Sequence, residues 1–222
     1  MKRNIRISVA ATILLLGAGC SDSKQYETAM CALVDVSGTY AQEKPNVVRA
    51  IKAGLLPELE PGDSLFLITI DSNSYNEEDL RAKLTLDYIP SKANEQTLAF
   101  AKTLDAFAKN DMHSSHTDIS GAMMLCSDYL KNTGSGNRAI ITFSDMREEL
   151  QSGLKREFRP TEFEGTDIAA LNVIKLNKDT MDPEIYRQRM ADWEKRVMAA
   201  GAKSWTVILD ATKIPEYMER LK

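Results

Sequence analysis

Met30-Cys-Ala-Leu-Val-Asp35 carries no polar side chain until its last residue, where a carboxylate closes the run. Alternate side chains leave a strand on opposite sides, so a run apolar at every position must be covered on both faces. The chain returns to this pattern at Ser64–Ile70, Ala139–Phe143, Ile168–Leu176 and Trp205–Leu209. Between these runs the apolar period lengthens to that of a helix. Val48, Ile51 and Leu55 mark one helix, ended by Pro57 and the turn Pro61-Gly62-Asp63. Leu98, Ala101, Leu104 and Phe107 mark a second over 92–109, and Thr117 to Leu130 reads as a third. Asp182-Pro183-Glu184 opens a fourth, with Tyr186, Met190, Trp193 and Val197 as its stripe and Gly201 closing it. Pro215 to Lys222 reads as a short terminal helix. In the segment 81–89, Ala82, Leu84, Leu86 and Tyr88 alternate with polar residues, as in a half-exposed edge strand. Strands alternating with helices predict an α/β fold with a doubly wound, mostly parallel sheet. Ligands of such sheets bind beyond the carboxyl ends of the strands, and chemistry is expected there.

The amino terminus is not part of that pattern. Lys2, Arg3 and Arg6 precede the apolar run Ile7–Leu16 and the small residues Gly17-Ala18-Gly19, the layout of a secretory signal peptide. Small residues running into Cys20 resemble the lipobox of bacterial lipoproteins, with Gly17 standing where Leu is commoner. The resemblance implies a signal peptide over 1–19, a lipidated tether over 20–28 beginning at Cys20, and one folded domain over 29–222. An ordinary secreted protein with a Cys near its cleavage site is the plainer reading. Ser21, as the second residue of the mature chain, is compatible with sorting to the outer membrane. A bacterial cell-envelope location, facing the periplasm or the surface, is therefore expected. Without the leader, 25 basic residues stand against 32 acidic ones, a net charge of −7. So acidic a chain, with no basic stripe, is poorly suited to nucleic acid.

Cys31 and Cys126 remain. Both positions fall about 13 Å below the strand ends, one on the first strand and one on the third helix. An exported compartment permits a disulfide between them; two buried free thiols are the other reading.

Three segments bring oxygen-bearing side chains to the strand ends: Asp35-Val-Ser37-Gly-Thr39, Thr117-Asp-Ile-Ser-Gly-Ala122, and Ser144-Asp145. Residues i, i+2 and i+4 of a Gly-containing turn can converge on one point. Two carboxylates and three hydroxyls suit a hard cation such as Mg²⁺, with Mn²⁺ or Ca²⁺ as alternatives, and nothing gathers the Cys or His that zinc prefers. A capped strand-to-helix turn would use the same residue types.

Taken together, the three segments resemble the metal-ion-dependent adhesion site of von Willebrand factor A-type domains, which pairs Asp-x-Ser-x-Ser with a separate Thr and a separate Asp. Thr39 replaces the second Ser, and Ser144 and Met146 stand where Thr and Gly are commoner. The resemblance covers roughly 29–211 and implies a Rossmann-like sheet with one antiparallel edge strand. It implies that Ser37 and Thr39 hold the metal directly, and Asp35, Thr117 and Asp145 directly or through water. An open coordination position would then accept an Asp or Glu from a partner protein, in a module that binds rather than catalyses. Two alternatives stand beside it. Asp35 to Thr39 differs by one residue from the Asp-x-Asp-Gly-Thr loop of haloacid dehalogenase-type phosphohydrolases, but Ser37 cannot act as their acid/base. The other is a structural domain with a vestigial metal site.

Further features carry weaker expectations. His113 and His116 read as solvated loop histidines, and Asp71 to Asp79 as an exposed acidic loop. Arg147-Glu148-Glu149 reads as a partner contact or a solvated helix start, and 153–166 as a partner-contacting loop. With roughly nine residues, about 30 Å at most, between Cys20 and the first strand, the metal site is expected to face away from the membrane.

Overall fold

The computed structural model describes residues 23–171 and 183–222. Cys20, the expected leader, the stretch 172–176 and the expected cap Asp182 lie outside the described residues. Six strands form one sheet: β1 (Thr28–Asp35), β2 (Ser64–Ile70), β3 (Leu80–Thr85), β4 (Asn137–Phe143), β5 (Thr166–Leu171) and β6 (Ser204–Ile208). Their order is β3-β2-β1-β4-β5-β6, and only the β2–β3 pair is antiparallel. The helices are α1 (Lys44–Ala50, running on into a π-turn at Ile51–Leu55), α2 (Pro90–Lys109), α3 (Ile119–Thr133), α4 (Pro183–Ala199) and α5 (Ile214–Glu219). This is the Rossmann-like, mostly parallel arrangement with one antiparallel edge strand.

Strand parity divides the core into two layers. Met30, Ala32 and Val34 of β1 join Val48, Ile51, Leu104 and Ile214 on one side of the sheet. Ala29, Cys31 and Leu33 join Ile119, Met123, Cys126 and Trp193 on the other. Cys31 therefore faces α3, and the structure bonds it to Cys126, with Cα atoms 6.1 Å apart. The chain winds outward from β1 to β3 and then returns to β4 on the other side of β1. Crossovers diverge there, which opens a crevice beyond the carboxyl ends of β1 and β4.

Several local expectations are corrected. Leu98 is 66% exposed, and Phe100 takes its place in the core beside Leu104 and Phe107. The edge strand stops at Thr85, shorter than 81–89. Arg147-Glu148-Glu149 starts no helix; Glu149 instead pairs with Thr117 through its backbone. Asp79 in the acidic loop is buried, accepting hydrogen bonds from Thr69 and Arg81. Phe163 is fully buried and packs edge-on against Phe158, so part of 153–166 belongs to the core. Among the described residues no helix is long and apolar enough to cross a membrane.

Candidate metal site

The β1–β4 register builds the floor of the crevice. Val34 pairs with Phe143, so Asp35 and Ser144 are the next two residues along adjacent strands. Parity sends both side chains toward the α3 side of the sheet, and there the Ser144 hydroxyl donates to Asp35 Oδ2 at 2.7 Å. Asp35 Oδ1 accepts from the Ser37 backbone N–H at 2.8 Å and the Ser37 hydroxyl at 2.5 Å. The Thr117 hydroxyl donates to Ser37 Oγ at 2.7 Å. Thr117, Ser37 and Ser144 thus direct a chain of protons onto one carboxylate.

Asp35 is 1% exposed. Burial pushes its carboxyl up to about 6 from the usual 3.8; the Ser37 and Ser144 bonds pull it down, and the charge of Asp145 pushes it up again. A desolvated carboxylate beside a second one gains from a cation more than a solvated one would. Asp145 sits half-buried directly after β4, its Oδ1 accepting from the Arg147 N–H at 2.9 Å. Asp35, Ser37, Thr117 and Asp145 line a polar concavity of about 130 Å³, with Gly38, Tyr40, Ser115, Arg147 and Glu149 at its rim. Thr39 lies in the turn Gly38–Glu43, and its side chain is outside the described residues.

Backbone bonds stitch the three loops together. The Ser114 N–H donates to the Val36 carbonyl, and the Gly38 N–H to that of Ser114. Thr117 and Glu149 exchange both of theirs, at 2.9 and 3.0 Å. Gly38 has φ 47°, a left-handed turn that L side chains adopt at a cost. Asp118, buried and next to Thr117, caps α3 through the Gly121 N–H at 2.8 Å. Its Oδ2 accepts from the Ser74 N–H and from the Arg156 guanidinium, at 3.0 and 2.7 Å. A Cβ at Gly121 would stand 2.3 Å from that carboxylate, so only glycine admits this cap.

The donor set fits a hard cation: two carboxylates lining one polar hollow, with hydroxyl oxygens gathered beside them. Asp35, Ser37, Thr117 and Asp145 are the described residues that would hold it, and it would supply an electrophilic centre for an incoming oxygen ligand. Among the described residues no group of three or more His, Cys, Asp or Glu side chains assembles, so hydroxyls and water must complete any coordination here. His113 and His116 are not part of the hollow's lining; His113 lies 2.7 Å from exposed Asp111, and His116 meets Ser115. Asp35, Ser37, Thr117 and Asp145, expected together from the sequence, line one hollow; Ser144 and Arg156 carried no such expectation. The role of Ser144 depends on strand register, and that of Arg156 on a contact across 38 residues.

No protein-family model matches this chain, and no curated protein sequence matches it. Its fold matches solved structures. One is the D319A mutant of the PilB minor pilin from Streptococcus sanguinis, with TM-score 0.54 and 8% identity, over 88% of this chain and 60% of that one. Another is the pilus adhesin SpaC from Lactobacillus rhamnosus GG in an open conformation, with TM-score 0.50 and 14% identity, over 87% of this chain and 29% of that one. The chain spans under two thirds of either protein, and at such identities the likeness is one of fold.

Proposed function

We propose that this chain is a von Willebrand factor A-like binding module of the bacterial cell envelope, lipid-anchored through Cys20. It engages a protein partner through a divalent cation, Mg²⁺ foremost, held at Asp35, Ser37, Thr39, Thr117 and Asp145. The observation that carries the reading is the chain of hydroxyls running from Thr117 through Ser37 to Asp35, closed from the other side by Ser144. These residues come from three separate loops at the point where the strand order reverses. A cation with two carboxylates and several neutral oxygens keeps residual positive charge, and a partner's Asp or Glu is the natural ligand for an open position. Folds shared with a minor pilin and a pilus adhesin are in keeping with a surface-adhesion role.

The same geometry favours binding over phosphoryl chemistry. A phosphohydrolase of that type needs an acid/base two residues after Asp35, and that position is Ser37, whose hydroxyl donates to Asp35. Cross-linked pull-down from envelope extracts, in Mg²⁺ and in EDTA, tests the reading. One or more partners should be captured only in Mg²⁺ and lost with Asp145→Ala. Identical captures under all three conditions would contradict it.

A further inference from the structure

The amino-terminal end of the sheet, opposite the candidate metal site, is tied down earlier than its strands require. The Gly136 N–H donates to the Lys24 carbonyl at 2.8 Å, and Lys24 Nζ donates to the Thr133 carbonyl at 3.1 Å. A Cβ on Gly136 would lie 2.1 Å from the Gln25 carbonyl oxygen, so the two backbones are in direct contact. The chain is thus fixed to the α3–β4 turn from Lys24 onward. Cys20 lies four residues earlier, and four residues span at most about 14 Å. The slack is half of what the start of β1 alone would allow.

Exposed apolar side chains stand at this same end. Tyr26 is 75% exposed just before β1; Tyr88 and Ile89, 61% and 49% exposed, lie between β3 and α2; Met198, 44% exposed, lies in the last turn of α4. They extend across the sheet from its β3 edge to its β5–β6 edge. The Tyr88 hydroxyl donates to Glu27, which joins the Tyr26 and Tyr88 segments. Three lysines at this end have acidic partners: Lys92 with Asp87 at 3.6 Å, Lys203 with Asp167 at 3.0 Å and Lys222 with Glu60 at 2.5 Å.

We propose that this end of the sheet is a membrane-contacting face, on which Tyr26, Tyr88, Ile89 and Met198 rest in the headgroup region of a phospholipid bilayer. The inference rests on the lipidation of Cys20 and is independent of the metal site. Tyrosines, apolar in the ring and polar at the tip, favour that region. Four side chains make a weak contact by themselves; a tether this short keeps the face at high effective concentration against the surface. Because Lys92, Lys203 and Lys222 are paired with carboxylates, the contact is chiefly apolar, and salt should change it little.

Mass spectrometry of the envelope-purified protein first reads the amino-terminal residue; an unmodified Cys20 overturns both the anchor and the proposal. The lipidated protein is then reconstituted on phosphatidylethanolamine–phosphatidylglycerol vesicles. Nitroxides are placed singly through Tyr26→Cys, Tyr88→Cys, Met198→Cys and, at the opposite end, Asp111→Cys. The expected result is a several-fold rise in the ratio of oxygen to nickel-chelate accessibility at 26, 88 and 198, little changed between low and high salt, with none at 111. Equal water accessibility at all four positions, on a protein whose Cys20 is lipidated, overturns the contact and leaves the anchor standing.

Discussion

Ser144 shows how much of the site depends on residues that need not touch a metal. Its hydroxyl holds Asp35 Oδ2 and also accepts from the Met146 N–H at 3.0 Å. Removing such a support typically weakens metal binding about 10–100-fold. Ser144→Ala should therefore lose Mg²⁺ affinity in that range and about 1–3 kcal/mol of stability, since Asp35 Oδ2 and the Met146 N–H both lose a buried partner; unchanged affinity would remove Ser144 from the site. Met146 has φ 60°, a conformation costing a non-glycine residue on the order of 1–2 kcal/mol. Its side chain is 1% exposed, and full burial of a methionine is worth about 1.5–3 kcal/mol. Burial outweighs strain, so Met146→Gly should lower stability in denaturant titration, and a more stable variant would contradict the packing. Asp79 adds a pH dependence. Burial and the neighbouring Asp71 push its carboxyl up to about 7, and its Oδ2 has no hydrogen-bond donor. The folded state therefore holds a proton that the unfolded chain releases near pH 4, and stability falls as pH rises from about 4 to 7. Asp79→Asn should remove this fall, gaining on the order of 2 kcal/mol over wild type between pH 5 and pH 8. Parallel pH profiles of the two proteins would contradict it. The pairing of Asp71 with Asp79 was illegible in a sequence that shows only four acids in one loop.

At the scale of elements, two cross-links hold the layers and loops in place. The Cys31–Cys126 disulfide joins β1 to α3 across 95 residues of sequence. Closing so long a loop should stabilise the fold by about 2–4 kcal/mol, read as the loss in Cys31→Ala/Cys126→Ala by chemical denaturation. No loss would contradict a bridge. Buried Asp118 and largely buried Arg156 form the second link, which also reaches Asn73 of the β2–β3 loop at 2.7 Å. Arg156→Ala leaves Asp118 buried without its cation, at a cost of about 3–5 kcal/mol. Because Asp118 precedes the first turn of α3, the variant should also loosen Thr117, visible as faster amide exchange at 117–121. The parallel strands and the longer helices were legible from apolar period, since their runs are unbroken. The α2 stripe was not: Leu98 and Phe100 both fit a helical spacing with Leu104, and only packing against α1 and β3 selects Phe100. Likewise, two cysteines at matching depth allowed a bridge, and the parity of β1 decided it.

The whole molecule has two ends with different chemistry. At the carboxyl ends of the strands, three loops are laced into a small polar hollow around a buried carboxylate. At the amino ends, the chain enters through a docked turn amid exposed tyrosines. Asp35, Ser37, Thr117 and Asp145 were legible as a set because their order along the chain matches the loops of a doubly wound sheet. Their supports came from contacts across the sequence. The central claim is that the hollow holds a divalent cation. Isothermal titration of Mg²⁺, then Mn²⁺, into the wild-type protein and the Asp35→Asn/Asp145→Asn variant tests it most directly. The account predicts one saturable site per chain in the wild type and none in the variant, with far-ultraviolet circular dichroism unchanged. No binding in the wild type, or the same binding in the folded variant, would contradict it.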